Sequence, residues 1–161
     1  MSGEEMMNQK MIEAHMHVAE TYAQLSHARK LKVGSIVVKD DRIISIGYNG
    51  TPAGWDNNCE DEIEIRETYV IDMGGISHPI TTTQLHTKPE VIHAEANAIA
   101  KLARSPESGQ GSVMFITHAP CMECAKMIFT SGIKKVFFRN YYRSGEGLEF
   151  LKKCNISVEK V

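Results

Sequence analysis

His93 and Glu95 stand two residues apart, and further along Pro120 precedes a Cys-x-x-Cys pair, Cys121 and Cys124. One imidazole and two thiolates are a donor set for zinc. Three protein ligands leave the fourth position to water, as catalytic rather than structural sites do. A neutral histidine and two thiolates cancel the charge of a divalent ion, so such a centre acidifies its water less than three histidines would. It therefore needs a base beside it, and Glu95 is the candidate. Glu95 would take a proton from the attacking water, deliver it to a ring nitrogen of an amidine-like substrate and help the amine leave as ammonia. Singly, each half of the pattern has a plainer meaning, since Cys-x-x-Cys also builds structural zinc knuckles. Together, each at an expected helix start, they are specific. One difficulty stands: residues two apart do not share a helix face, so Glu95 must reach the site through its longer side chain.

The elements that position these residues can be traced along the chain. Over residues 6–25 the apolar positions Met7, Met11, Ala14, Val18, Tyr22 and Leu25 step by three and four, which predicts one amphipathic helix with a methionine-rich core face. Residues 26–32 are a polar, basic connection in which Arg29 is the candidate for a phosphate contact. Two β-branched runs, 33–38 and 42–47, flank Lys39-Asp40-Asp41 and predict an antiparallel hairpin. It leads into Gly47-Tyr48-Asn49-Gly50-Thr51-Pro52-Ala53-Gly54, whose glycines and proline exclude regular structure and let backbone approach a ligand. Asn49 is the informative residue there, because its amide can both donate to and accept from a sugar hydroxyl or base edge.

Residues 55–90 are expected to be an insertion, acidic around Cys59, with a short helix over 61–70 and no clear period beyond it. An alanine-rich helix over 91–104 carries His93 and Glu95, and a second helix over 121–130 carries the cysteines. Its N-terminus should favour thiolates. Buried strands are expected at 112–117 and 134–139, then a short helix at 146–153 and a strand at 156–159. Strands alternating with helices give a three-layer α/β/α domain over residues 1–161, with a mixed five-stranded sheet and the antiparallel hairpin at its N-terminal side. Both metal-bearing segments then fall where open α/β sheets collect their ligands.

Length and composition set the outer bounds. A chain of 161 residues buries a core unaided. No apolar run approaches the roughly 18–20 residues of a membrane span, and no leader pattern is present, so a soluble, cytoplasmic protein is expected. A net charge of −2 argues against a polynucleotide partner but leaves room for a single phosphate group. In a reducing compartment four cysteines point to metal binding before disulfides.

His-x-Glu followed by Pro-Cys-x-x-Cys is the known signature of zinc nucleobase deaminases, and the likeness extends beyond it. Val33-Gly34, Arg42-Ile43-Ile44, Gly47-Tyr48-Asn49-Gly50, His93-Ala94-Glu95, Asn97-Ala98, Ser131-Gly132-Ile133-Lys134-Lys135 and Tyr142 add to the match. Over roughly residues 33–161 the chain resembles the deoxycytidylate (dCMP) deaminase family, within the cytidine deaminase-like superfamily. The resemblance implies that fold, one catalytic Zn2+ on His93, Cys121 and Cys124, and proton transfer by Glu95. It implies conversion of dCMP to dUMP and ammonia, which supplies thymidylate synthesis. Asn49, Ala94 and Tyr142, in preference to Tyr141, would meet the substrate. Family members are typically homo-hexamers activated by dCTP and inhibited by dTTP, with Mg2+ accompanying the effector nucleotide. Gly47, Tyr48 and Gly50 would then lie near the effector, and Arg104 would serve subunit contact or regulation.

Some positions depart from the family pattern. Certain viral members carry a second, structural zinc. Here Cys59 is present, but Ala28 stands where another cysteine is expected and Val91 where a glutamate is. His27, His78, His86 and Glu90 are the available substitutes, and a lone buried Cys59 is the simpler reading. Arg29, Arg139 and Arg143 are alternatives for binding phosphate. The substrate alternatives are another cytosine nucleotide such as dCTP, or the adenosine of a tRNA, which would call for a basic face. A cytidine nucleoside deaminase would usually place Cys at position 93. A structural zinc-binding interaction module would have no use for Glu95.

Overall fold

The computed structural model describes residues 7–71, 76–142 and 145–161. The first helix, α1 (Gln9–Ala23), is capped by Asn8, whose Oδ1 accepts from the backbone N–H of Lys10 at 2.7 Å. Its buried face is Ile12, His15, Met16, Ala19 and Ala23, displaced from the expected stripe, and Met11 and Leu25 are exposed. The displacement follows from close packing. A Cβ at Gly34 would lie 2.1 Å from the Ala19 carbonyl oxygen, so the helix must turn small residues toward the sheet at that point.

Strands β1 (Gly34–Lys39) and β2 (Arg42–Tyr48) form the expected antiparallel hairpin. Asp40 and Asp41 close it, both with positive φ, as a two-residue turn matched to strand twist requires. Strands β5 (Val113–His118), β6 (Lys135–Asn140) and β7 (Ser157–Lys160) complete a five-stranded sheet in the order β2-β1-β5-β6-β7. β1 meets β5 antiparallel, and the β5–β6 and β6–β7 pairs are parallel, so the sheet is mixed as expected.

Helix α1 covers one face, where Ile12 and Met16 meet Ile36, Val38, Phe115 and Phe137. On the other face α2 (Ala94–Leu102), α3 (Met122–Thr130) and α4 (Glu146–Lys153) bury Val37, Met114, Ile116, Val136 and Phe138. Successive residues of β5 and β6 thus serve opposite layers, which is why both strands read as unbroken apolar runs.

The region after the glycine loop differs from expectation. In place of a helix over 61–70 there is a long strand, β3 (Glu60–Ile71), paired antiparallel with β4 (Ile76–Thr87) as a separate two-stranded ribbon. The alternation Glu62-Ile63-Glu64-Ile65 has period two, and the β-branched Thr81-Thr82-Thr83 opposite it suits a strand. The Gly74-Gly75 break expected there lies outside the described residues.

The hairpin also sets the helix of the His-x-Glu motif. A Cβ on Gly47 would stand 2.1 Å from the Ala94 carbonyl oxygen and 2.6 Å from the Ala98 nitrogen. Ala94 and Ala98 are fully buried, and the hydroxyls of Ser35 and Ser45 donate to their carbonyls at 2.9 and 2.7 Å. Gly47, expected beside an effector, is thus the contact that lets β2 press against α2. Because backbone and not a flexible side chain must yield, Gly47→Ala should cost about 1–3 kcal/mol or more. Urea unfolding measures this, with Gly50→Ala as a control, since nothing lies within 4 Å of a Cβ at Gly50.

Candidate active site and metal centre

His93 and Cys121 occupy equivalent places. Each is the extended N-cap residue of its helix, with φ/ψ of −69°/153° before α2 and −70°/170° before α3, and neither uses its side chain to cap. This resolves the spacing of His93 and Glu95. The histidine lies outside the helix, so the helical rotation between positions two apart does not separate them. Glu95, in the first turn of α2, is 5% exposed.

The His93 Nδ1 lies 3.6 Å from the Cys121 Sγ and 3.4 Å from the Cys124 Sγ, and the three donor atoms fall within 4.8 Å of one another. Tetrahedral zinc with bonds of about 2.3 Å to sulfur and 2.0–2.1 Å to nitrogen would set an N···S edge of about 3.5 Å. The residues fit that ion. Among the described residues they are the one group of three or more His, Cys, Asp or Glu side chains so disposed. The N-termini of α2 and α3 converge here, with dipoles that favour thiolate. Gly147 of α4 adds to the support, because a Cβ there would lie 2.1 Å from the Pro120 carbonyl oxygen; α4 can therefore back the loop that carries Cys121.

His93, Ala94, Glu95 and Cys121 line one part of a cavity of about 240 Å³, which Asn49, Tyr142 and Lys30 also line. A model of the cytidine and deoxycytidylate deaminase zinc-binding region matches residues 9–140. The chain belongs to this deaminase family. It is 33% identical to the deoxycytidylate deaminase of Enterobacteria phage T4, over 91% of this chain and 87% of that one. With the human deoxycytidylate deaminase it shares 36% identity over 83% of this chain and 68% of that protein. A crystal structure of the cyanophage S-TIM5 dCMP deaminase in complex with dCMP and dUMP is 40% identical, with a TM-score of 0.78, covering 96% of this chain and 99% of that one.

Within this deaminase site the protonation behaviour follows from burial and contact. Burial pushes the Glu95 carboxyl up to about 7. The Cys121 thiol is pushed down to about 3, first by its hydrogen bond with Cys124 and then by that with His93. The same hydrogen bond, with burial, drives the Cys124 thiol upward. Both thiolates are needed to hold zinc, which is why metal binding releases protons.

Asn49 lines the cavity, and its amide is also structural. Oδ1 accepts from the Val33 N–H at 2.8 Å and Nδ2 donates to the Leu31 carbonyl at 2.9 Å, leaving one donor and one lone pair for a ligand. Tyr142 lines the cavity, whereas Tyr141 is 67% exposed and packs edge-on to Phe138. The arginines go elsewhere. Arg29 donates to Glu62 at 2.6 Å, and Arg139 donates to Glu20 and Glu13 of α1, each at 2.9 Å. Neither lines the cavity, and Arg143 lies outside the described residues.

Tyr48 and Gly50 line a second cavity of about 290 Å³ behind the glycine loop, and Asn49 borders both. Reciprocal backbone hydrogen bonds join Gly50 to Ile92, and the Asn97 side chain donates to the Tyr48 carbonyl. The loop is thereby tied to the segment that delivers His93. Arg104 lies beyond the C-terminal end of α2 and lines neither cavity.

Where a second zinc was weighed, Ala28, Cys59 and Val91 pack as a small apolar cluster, and burial raises the Cys59 thiol pKa. This agrees with a lone buried cysteine.

Three ionisable residues of the cavity lining were not singled out from the sequence: Lys30, Glu60 and His118. His118 ends β5, and the tendency of ligands to collect at strand ends could have flagged it. Glu60 was hidden in an acidic run, although it is 1% exposed.

Proposed function

We propose that the chain, as a single domain over residues 1–161 with an insertion near 55–90, deaminates dCMP to dUMP and ammonia. The observation that carries this reading is Glu95, buried in a cavity that it shares with His93 and Cys121. His93, Cys121 and Cys124 would hold zinc, which when bound lowers the pKa of a water and orients it for attack. Glu95 accepts a proton from the attacking water, gives it to the pyrimidine N3, and then assists departure of the 4-amino group as ammonia. Its raised pKa suits a group that must both take and give protons near neutrality. Ala94, without a long side chain, leaves room for a flat ring beside Glu95. The donor and lone pair remaining on Asn49 serve the sugar or base, and Tyr142, which lines the same cavity, would meet the substrate as well.

The family likeness extends the proposal to a homo-oligomer, taken as a hexamer, regulated by dCTP and dTTP with Mg2+. The second cavity, lined by Tyr48, Gly50, Asn97 and Lys101, is taken as the effector site on the strength of that likeness. No helix among the described residues is long and apolar enough to cross a membrane, and the proposed reaction belongs with the cytoplasmic nucleotide pool.

An ultraviolet assay over deoxycytidine, dCMP, dCTP and CMP, each with and without dCTP or dTTP, tests the reading. The highest kcat/KM is expected for dCMP. Preference for the unphosphorylated nucleoside, or for dCTP, would overturn the assignment of substrate.

A further inference from the structure

We infer that His118 holds the nucleoside part of the bound nucleotide through its Nε2–H, and that Thr117 fixes the ring in the tautomer this contact needs. The inference rests on the nucleotide-deaminase reading of the cavity and deepens it. His118 is the last residue of β5 and lines the cavity. Two hydrogen bonds hold its neighbours. The Asn140 Nδ2 donates to the Thr117 carbonyl at 3.1 Å, and the Ala119 N–H donates to the Asn140 carbonyl at 2.8 Å. The chain on both sides of His118 is thus clamped to the end of β6, just before Tyr142. From Ala119 it runs directly through Pro120 into Cys121, so His118 stands at the metal end of the cavity, where the pyrimidine and its sugar would lie.

A single hydroxyl sets the tautomer. The Thr117 Oγ1 accepts the Gly34 N–H at 3.2 Å and lies 3.1 Å from the His118 Nδ1. Thr117 is 5% exposed, so its one O–H proton needs an acceptor within the protein. Among the described residues the His118 Nδ1 is the acceptor placed beside it. With Nδ1 accepting, a neutral imidazole carries its proton on Nε2. Burial holds the His118 pKa below the usual histidine value, which keeps the ring neutral near neutrality. Nε2 itself has no protein partner among the described residues. It is not sealed in the core either, as the Nε2 of His15 is, so it stands open as an unused donor. A neutral N–H suits the uncharged oxygens of a nucleoside, the pyrimidine O2 and the sugar hydroxyls, whereas a phosphate would call for an imidazolium.

His118→Asn, His118→Gln and Thr117→Val, each compared with the zinc-loaded parent on dCMP and deoxycytidine, test the inference. Glutamine sets its amide N–H close to the place of Nε2, whereas asparagine sets its own near Nδ1. His118→Asn should therefore raise KM about three- to tenfold on both substrates alike, the usual worth of one neutral hydrogen bond, with kcat retained. His118→Gln should stay within about twofold of the parent. NMR of the His118 ring nitrogens in the parent should show Nε2 protonated and Nδ1 unprotonated. Thr117→Val, or Thr117→Ala where the valine variant does not fold, should release the ring into a mixture of tautomers with a smaller rise in KM. Equilibrium binding of dUMP and deoxyuridine supplies a readout without turnover: His118→Asn should weaken both by the same factor. Losses confined to dCMP and dUMP, or equal losses in the Asn and Gln variants, would overturn the Nε2 contact with the nucleoside. A protonated Nδ1 in the parent, or an unchanged tautomer without the Thr117 hydroxyl, would overturn the positioning role of Thr117. Should the parent turn over neither substrate, the deaminase reading fails, and the binding of dUMP and deoxyuridine still decides the role of His118.

Discussion

Glu95→Gln is expected to lose about 10²–10⁴-fold in turnover or more, the usual worth of general acid–base catalysis, while keeping its zinc. Glutamine preserves the size of the side chain and can still accept a hydrogen bond, but it cannot carry a proton between water, ring nitrogen and leaving amine. The ligands His93, Cys121 and Cys124 are untouched, so zinc content should stay at the parental level. Stability should stay equal or rise, because a carboxylate that is 5% exposed carries a desolvation cost that the amide reduces. Lost activity without lost stability is the pattern of a group kept for chemistry. Steady-state kinetics, metal analysis and thermal unfolding on one preparation check all three points. Parental turnover would remove Glu95 from the mechanism.

Cys124→Ser should lose both the metal and the activity. Cys124 is 3% exposed, and its sulfur sits 3.4 Å from the His93 Nδ1, so a serine hydroxyl would occupy nearly the same place. A hydroxyl does not ionise near neutrality as a thiol does in such a site, and its oxygen is a harder donor than zinc prefers here. In zinc-containing buffer the parent gains stability by mass action from its bound ion, and the variant should lack that increment. Chelated parent should match the variant in activity and recover on adding zinc, whereas the variant should not recover. A serine variant with full zinc and full turnover would place the metal elsewhere.

The sequence was most legible where local chemistry and long-range packing demand the same residue. The unbroken apolar runs of β5 and β6, the two-aspartate turn and the ligand triad were all plain, because each is specified by a few neighbouring residues. Position 60–87 was not plain. Its many glutamates favour a helix, the period-two alternation over 62–65 is short, and the strand wins through its pairing with β4 across the ribbon. The buried stripe of α1 was displaced for a related reason, since the close approach of Gly34 is a tertiary demand that periodicity does not record. At the site itself, the zinc donors and Glu95 could be named from spacing alone. The phosphate contact could not, because two of the arginines that composition offered, Arg29 and Arg139, are paired with Glu62, Glu13 and Glu20, residues far from them in sequence.

The central claim, a zinc deaminase acting on dCMP, is tested most directly by titrating zinc into the metal-free protein while following loss of dCMP at ultraviolet wavelengths. The account predicts negligible turnover without metal, a linear rise, and a plateau at one zinc per chain, with dUMP and ammonia formed in equal amounts. Full activity in the metal-free protein, or a fully zinc-loaded protein that leaves dCMP unchanged, would contradict it.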